Sequence, residues 1–249
     1  MKKLVNKLAV IGVLMAVSAP FVWAESPVEL GAGVDVVSDY VWRGQLLTDD
    51  PVIQPSIDVG AHGFNFNAWG SIDMTDVNEN GGEDFRLQEV DYTLSYGFSP
   101  SEGVDLEVGA IYYDFPGTGF DSTQEVYLSA GLSSLPLSPT ATVYYDIDEI
   151  EGVYANIGIG HTFELQEDLG LSLGASLGWG DEDYNAGYFG VNDSGLNDLG
   201  LSASLDYTIN ENFSVSVYTA YSEMLDSDIE DAVADSDTLY GGIGFYFSY

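Results

Sequence analysis

Residues 241–249 read GGIGFYFSY, so that Ile243, Phe245, Phe247 and Tyr249 alternate with Gly242, Gly244, Tyr246 and Ser248. Period-two alternation describes a β-strand with one apolar face and one small or polar face. Four large apolar side chains on one face make a poor terminus for a water-soluble chain, because terminal strands fray and expose them. The face asks for an apolar surrounding. If that surrounding is lipid, the chain must supply many more strands of the same kind, since an unpaired strand edge cannot exist in hydrocarbon.

Alternation of this type runs along nearly the whole sequence. It predicts twelve strands, at 29–43, 52–62, 64–74, 85–98, 103–113, 123–132, 138–147, 152–163, 169–180, 196–209, 212–222 and 237–249. Most reach or exceed the roughly 9–11 residues that a tilted strand needs to cross a bilayer. One strand carries Leu169, Leu171, Leu173, Ala175, Leu177 and Trp179 on one side, against Gly170, Ser172, Gly174, Ser176 and Gly178 on the other. Short turns, such as His62-Gly63 and Asn210-Glu211, alternate with longer connections such as 76–84, 114–122, 181–195 and 223–236. An even strand count with short turns at one end and long loops at the other is the pattern of a transmembrane, antiparallel, up-and-down β-barrel. The expected fold is therefore all-β. In that setting Ile243, Phe245, Phe247 and Tyr249 form the closing strand and its assembly signal.

The acids give an independent reading of the faces. With each strand's apolar side taken as outward, Asp35, Asp39, Asp58, Glu89, Asp91, Asp105, Glu107, Glu125, Asp198 and Asp206 all have inward parity. At strand ends Asp73 and Asp146 agree, whereas Arg86 and Asp237 have outward parity, where headgroups or water can solvate them. A face without central charge beside a face rich in charge suits lipid outside and water inside. A soluble β-sandwich would reverse the two faces, burying the Leu, Val and Phe side as a shared core.

Residues 1–24 carry Lys2, Lys3 and Lys7, an apolar run over 8–19, and Val22-Trp23-Ala24 ahead of Glu25. That is the layout of a secretory signal peptide, and it leaves 25–249 as the barrel. Only Arg43 and Arg86 then remain as basic residues against the 41 acids of the chain. Such a balance repels nucleic acid. The absence of cysteine excludes a disulfide framework and thiolate chemistry.

Hydrolytic sites usually need a histidine beside a serine or acid. The two histidines, His62 and His161, both fall at the short-turn end of their strands, so no enzyme activity is expected. Asp76-Val77-Asn78-Glu79-Asn80-Gly81 follows the first half of an EF-hand calcium loop. Leu87 then stands where the bidentate glutamate is needed. Calcium held by Asp76, Asn78 and Asn80 in the 76–84 loop is one reading, and ordinary turn chemistry is the other.

Several stretches resemble the Gcw_chp family, also called TorF-type porins. Val37-Ser38-Asp39-Tyr40-Val41-Trp42-Arg43-Gly44 is similar to that family's S-D-Y-x-x-R-G opening, and Pro51-Val52-Ile53-Gln54 to its P-x-x-Q. Gly63-Phe64 through Trp69-Gly70-Ser71 resembles its G-[FY]…W-x-S hairpin, and Glu89-Val90-Asp91-Tyr92…Tyr96 a later E-x-D element. The resemblance is dense over 33–98 and implies topology and location more than mechanism. On the first predicted strand, Tyr40 and Trp42 point outward as part of an aromatic girdle. Arg43 points inward, where it can hold Asp39, or Glu89 and Asp91, in bidentate hydrogen bonds. It serves there either as a brace against like-charge repulsion or as a constriction and ligand clamp.

Twelve strands about 4.8 Å apart, tilted by about 40°, give a backbone diameter of roughly 24 Å and a lumen on the order of 10–13 Å before any loop folds inward. The expected function is a porin-like, cation-preferring passage for small cationic or neutral solutes, lined by the ten acids and Arg43. Its other partners are outer-membrane lipid and the barrel-assembly machinery. Alternatives are a plugged barrel with an adhesive or structural role through its acidic loops, and a soluble secreted sandwich. Deleting residues 245–249 removes the partner of the first strand and leaves open edges in lipid. The shortened protein should be lost from the heat-modifiable outer-membrane fraction on gels, and wild-type levels there would exclude a barrel.

Overall fold

The computed structural model describes residues 28–75 and 85–249. The wall begins with β1 (Glu29–Val37) and continues, after an inserted hairpin of β2 (Tyr40–Trp42) and β3 (Gln45–Thr48), with β4 (Val52–Ala61) and β5 (Phe64–Asp73). Next come β6 (Arg86–Ser101), β7 (Val104–Asp114), β8 (Thr123–Gly131), β9 (Thr140–Asp146), β10 (Val153–Gln166) and β11 (Leu169–Gly180). Helix α1 (Glu182–Phe189) precedes β12 (Gly195–Thr208) and β13 (Phe213–Met224), and α2 (Ser227–Glu230) precedes β14 (Asp237–Ser248). All strands except β2 and β3 form one closed antiparallel barrel in simple up-and-down order.

Closure is made by β1. Its residues pair with β14 from Gly31↔Ser248 to Val37↔Gly242, and with β4 from Glu29↔Gly60 to Val37↔Val52. Ile243, Phe245, Phe247 and Tyr249 lie on the outer side of this seam, and Tyr249 exchanges backbone hydrogen bonds with Leu30. Among the described residues no wall edge is left unpaired, as a bilayer demands.

The apolar faces point outward. Leu94 (57% exposed), Leu128 (58%), Ile157 (58%) and Val217 (55%) sit on central stretches of their strands with nothing from the protein covering them. A belt of bare aliphatic side chains is stable against lipid, not water. Near the short-turn end, rings of Phe64 and Tyr96, and of Phe213 and Phe247, pair across strands at 4.8 and 5.2 Å, as in an interfacial girdle. This arrangement is the reverse of a soluble sandwich.

The predicted first strand differs most from the structure. The alternation predicts fifteen residues over 29–43, but β1 leaves the wall after Val37, which pairs with Gly242 on β14 and with Val52 at the start of β4, while β14 continues beside β13 to Asp237. Residues 40–48 then fold as a hairpin whose two-residue turn is Arg43-Gly44, with φ of 46° and 84°. Two successive positive φ values are the hairpin-compatible geometry of a type I′ turn. His62-Gly63 repeats it between β4 and β5 (φ 52° and 87°). Gly44 is required on a second ground, because a Cβ there would stand 2.5 Å from Asp198 Cβ. Asp39 therefore lies in the bend between β1 and β2, not on a wall strand.

Two smaller differences concern loops and register. The 181–195 connection contains α1, started by Asp181 Oδ1 accepting from the Tyr184 N–H (2.8 Å) and ended at Gly190. On β6, a bulge between Leu87 and Glu89 shifts the register so that Arg86 stands opposite Asp73, correcting its outward assignment. Its guanidinium donates to the Gly117 carbonyl. The bulge also places Gln88 where it can donate to Asp73 Oδ2 at 3.0 Å.

A charge placed on the lipid face should cost more than the loss of a charge inside. Leu173→Arg or Leu128→Arg is expected to destabilise the barrel by about 2–4 kcal/mol near the bilayer midplane, while Asp105→Asn folds as wild type. Denaturant titration in lipid vesicles compares them, and equal midpoints for all three would contradict the facing described.

Candidate lumenal site

The β2–β3 hairpin leaves the wall between β1 and β4 and enters the barrel. In the order of the wall, β9 and β10 lie opposite β1 and β4. The hairpin tip stacks on Tyr144 of β9 and Tyr154 of β10, so it spans the full width of the lumen. Glu125 and Tyr154, the contacts at its tip, are the third and second residues of β8 and β10. The crossing is therefore at the long-loop end.

Sequence chemistry explains why this segment goes in rather than out. Tyr40 is buried and packs with Val37, Val52, Tyr218, Ala220 and Tyr240, joined by Val41, Trp42 and Trp69. The Tyr40 and Trp69 rings are 5.5 Å apart. Trp42 meets Tyr188 of α1 at 5.2 Å and Tyr113 of β7 at 6.2 Å. Tyr40 and Trp42 are thus interior anchors of the hairpin, which corrects their expected place in the outer girdle.

At the tip, Arg43 Nη1 and Nη2 donate to Glu125 Oε1 and Oε2 at 2.8 and 2.6 Å. Both side chains are buried, at 9% and 1% exposure. The expected partners were Asp39, Glu89 and Asp91; the bidentate partner is Glu125. Its Oε2 also accepts from the Tyr113 hydroxyl (2.8 Å). Arg43 Cζ lies 4.4, 4.3, 4.5 and 5.8 Å from the ring centres of Trp42, Tyr144, Tyr154 and Tyr184. Desolvated cation–π contacts are worth about 2 kcal/mol each. Burial pulls the Arg43 pKa down, but the charge of Glu125 and the nearby Tyr184 and Tyr113 outweigh it, so the guanidinium stays ionised. Helix α1, which supplies Tyr184 and Tyr188, is fastened to the wall by Asn197 Nδ2 donating to Asn185 Oδ1 (2.6 Å).

Most of the remaining inward acids are held by neutral donors. Tyr246 donates to Asp35 (2.5 Å), Tyr127 to Glu107 (2.6 Å) and Tyr154 to Asp198 (2.9 Å). Asn67 donates to Asp58, Ser99 and Ser133 to Asp105, and Ser172, Ser204 and Ser216 to Asp206. Glu89 and Asp91 sit two residues apart on the inner face of β6, near Tyr40 of the hairpin. Hydroxyl and amide donors orient a carboxylate without cancelling its charge. Above the hairpin, a cavity of about 400 Å³ opens at the long-loop end, with Leu46, Leu47, Tyr188, Phe189, Asp49 and Asp235 in its lining.

His62 occupies the β4–β5 turn, and His161 lies on the outer face of β10 with its ring edge-on to Phe163 at 4.6 Å. Asp76, Asn78 and Asn80, read as a partial calcium loop, lie outside the described residues, as do residues 1–24, read as an export signal. The lumenal tyrosines were not singled out in the sequence. Tyr113, Tyr127, Tyr144 and Tyr154 all have inward parity, and that parity was the available signal.

The Gcw_chp family profile, described as a bacterial protein of unknown function, matches residues 22–235, and the chain belongs to this family. No curated protein matches the sequence significantly. Among solved structures the barrel is similar to the COG4313 outer membrane channel from Pseudomonas putida F1, with TM-score 0.58 and 8% identity over 91% of this chain and 97% of that one. It is also similar to the KdgM porin in complex with disordered oligogalacturonate (TM-score 0.55, 11% identity, 89% and 99% covered) and to the NanC porin (0.52, 10%, 88% and 98%). These likenesses are of fold. With the lipid-facing belt, they identify an outer-membrane barrel of porin type.

Removing one member of a buried ion pair strands the other charge and typically costs about 3–5 kcal/mol, whereas replacing both by apolar groups is often neutral. Glu125→Ala should lower unfolding stability by that amount. Arg43→Met with Glu125→Leu should recover most of the loss. Denaturant unfolding of the folded barrel in detergent gives the cycle, and additive losses would show that the pair is not coupled.

Proposed function

We propose that this Gcw_chp family member is a passive outer-membrane channel for small solutes with a preference for cations. The observation that carries the reading is the set of inward carboxylates oriented by hydroxyls and amides. Arg43, the basic side chain at the hairpin tip, is spent on Glu125, and Arg86, at the long-loop end of β6, is turned to the Gly117 carbonyl. Low-dielectric walls focus the field of the other acids along the axis. Lumenal carboxylates of this kind act as a cation filter without energy coupling. The KdgM porin is recorded with oligogalacturonate, a polyanion; an acid-lined lumen would repel such a solute, so the same fold here serves the opposite charge. Asp35, Asp39, Asp58, Glu89, Asp91, Asp105, Glu107, Glu125, Asp198 and Asp206 line the path in this reading.

Export through the 1–24 signal, and recognition of the Ile243, Phe245, Phe247 and Tyr249 strand by the barrel-assembly machinery, complete the proposal. Both histidines lie away from the lumenal acids at the long-loop end, which favours a channel over a hydrolase. A second reading has its own support. The hairpin crosses the lumen, as it would in a plugged barrel whose acidic loops serve adhesion or envelope structure. Single-channel current in planar bilayers separates the two.

Under a KCl gradient the reversal potential should indicate that potassium permeates much better than chloride. The preference should fall at 1 M salt, where the Debye length is about 3 Å, and at acidic pH as carboxylates protonate. Neutralising Glu89, Asp91, Asp105 and Glu107 together should move the reversal potential toward zero. A chloride-preferring wild-type channel would overturn the charge argument.

A further inference from the structure

We propose that the wall pocket around Arg43 is a receptor site for guanidinium-bearing solutes, and that Arg43 is its built-in occupant. As a statement about transport this rests on the channel reading above; as a statement about binding it rests on the pocket alone. Glu125, Tyr144, Tyr154 and Tyr184 come from β8, β9, β10 and α1, and none belongs to the hairpin. Glu125, Tyr144 and Tyr154 are positioned by partners other than Arg43, and Tyr184 is carried by a helix anchored elsewhere. Tyr113 holds the Glu125 carboxylate, Asp198 holds the Tyr154 hydroxyl, and the Asp181 cap fixes the start of the helix that carries Tyr184. Tyr144 and Tyr154 also pack on each other at 6.2 Å, and Tyr154 and Tyr184 at 5.2 Å. The walls of the pocket are therefore held by contacts that do not pass through the Arg43 guanidinium.

Its chemistry is selective. Two carboxylate oxygens facing two parallel N–H donors suit a planar fork, and flanking rings suit a flat, weakly hydrated cation. An alkylammonium fills neither requirement, being a compact and strongly hydrated point charge. Asp198 lies beside the turn, its Cβ 2.5 Å from the place a Cβ on Gly44 would take, so a second carboxyl group stands next to the hairpin tip. The tethered occupant, in turn, is held at φ 46° on the tip of a two-residue turn, a conformation unfavourable for any residue with a Cβ. A solute guanidinium that takes the pocket replaces the contacts Arg43 makes with Glu125, Tyr144, Tyr154 and Tyr184, but not the one with Trp42, which moves with the hairpin, and the segment it loosens is the one that spans the lumen.

Arg43→Gly empties the pocket and suits the backbone at that position. Isothermal titration calorimetry of the folded barrel in detergent, with methylguanidinium, methylammonium and potassium chlorides, reads binding directly. The variant should bind methylguanidinium at least tenfold more tightly than methylammonium, adding Glu125→Gln should weaken that binding at least tenfold, and wild type should bind far more weakly. Equal affinity for the two organic cations, or binding indifferent to Glu125→Gln, would overturn the assignment. If Arg43→Gly does not reach the heat-modifiable folded form, Arg43→Lys is titrated under the same criteria, since a lysine cannot bridge both carboxylate oxygens. Planar-bilayer current is recorded on the same samples. Absent current with selective binding ends the channel reading and leaves the site, and present current without selective binding does the reverse.

Discussion

Every backbone N–H and C=O that meets hydrocarbon must be paired within the protein, because the bilayer core offers no other partner. That demand fixes more here than the closed wall. β1 bonds to β14 on one side and β4 on the other, and both ladders stop at Val37. The chain between Val37 and Val52 is therefore surplus to the wall. It carries Tyr40, Val41 and Trp42, which have no place in water, beside an arginine that has no place in lipid. The lumen is the one compartment that accepts both, since it offers rings from Trp69, Tyr113 and Tyr188 together with the Glu125 carboxylate. Closure of the barrel and occupation of its interior are consequences of the same constraint.

The interior solves a second problem with little positive charge. Carboxylates crowded in a lumen repel one another and raise each other's proton affinity. Arginines would relieve the repulsion and also abolish the negative field. The chain instead uses tyrosine, serine, threonine and asparagine donors, as in Tyr246 to Asp35, Tyr127 to Glu107 and Thr123 to Asp146. Such bonds fix geometry and satisfy lone pairs while leaving the field in place. Glu125 is the exception, and the exception coincides with the hairpin tip.

Wall and facing were legible in the sequence because both follow from one rule, alternation on a pleated strand. All twelve wall strands lie close to where the alternation put them. Inward parity of Asp35, Asp58, Glu89, Asp91, Asp105, Glu107, Glu125, Asp198 and Asp206 agrees with the fold. Failures occurred where alternation continued past the point at which pairing ended. Residues 38–43 keep the strand pattern, yet 29–43 is longer than a crossing needs, and Arg43-Gly44 has the form of a two-residue turn with glycine second. Both signals were present and pointed to a fold-back. The Arg86 parity failed for a different reason, since a bulge between Leu87 and Glu89 leaves no mark in composition. The choice of Glu125 over Asp39, Glu89 or Asp91 depends on which wall strands lie opposite β1 and β4, a property of the closed ring and not of any local segment.

Magnitudes connect the hairpin to conduction. Removing one partner of a buried ion pair costs on the order of 3–5 kcal/mol, and undocking the hairpin also gives up the burial of Tyr40 and Trp42, so the latch is at least that strong. At about 1.4 kcal/mol per decade, an undocked hairpin would be populated at no more than roughly one part in 10² to 10⁴. A filter with carboxylates below and a latch of that strength above would be closed nearly all the time if nothing took the place of Arg43. A cation that fits the vacated pocket changes the balance by its own binding energy, about 2.7 kcal/mol at a hundred times its dissociation constant. In the proposal made above, the two roles considered for Arg43, brace and clamp, become one role at different solute concentrations: the guanidinium neutralises Glu125 and holds the hairpin across the lumen, and a competing guanidinium supplies part of that neutralisation from outside and weakens the hold.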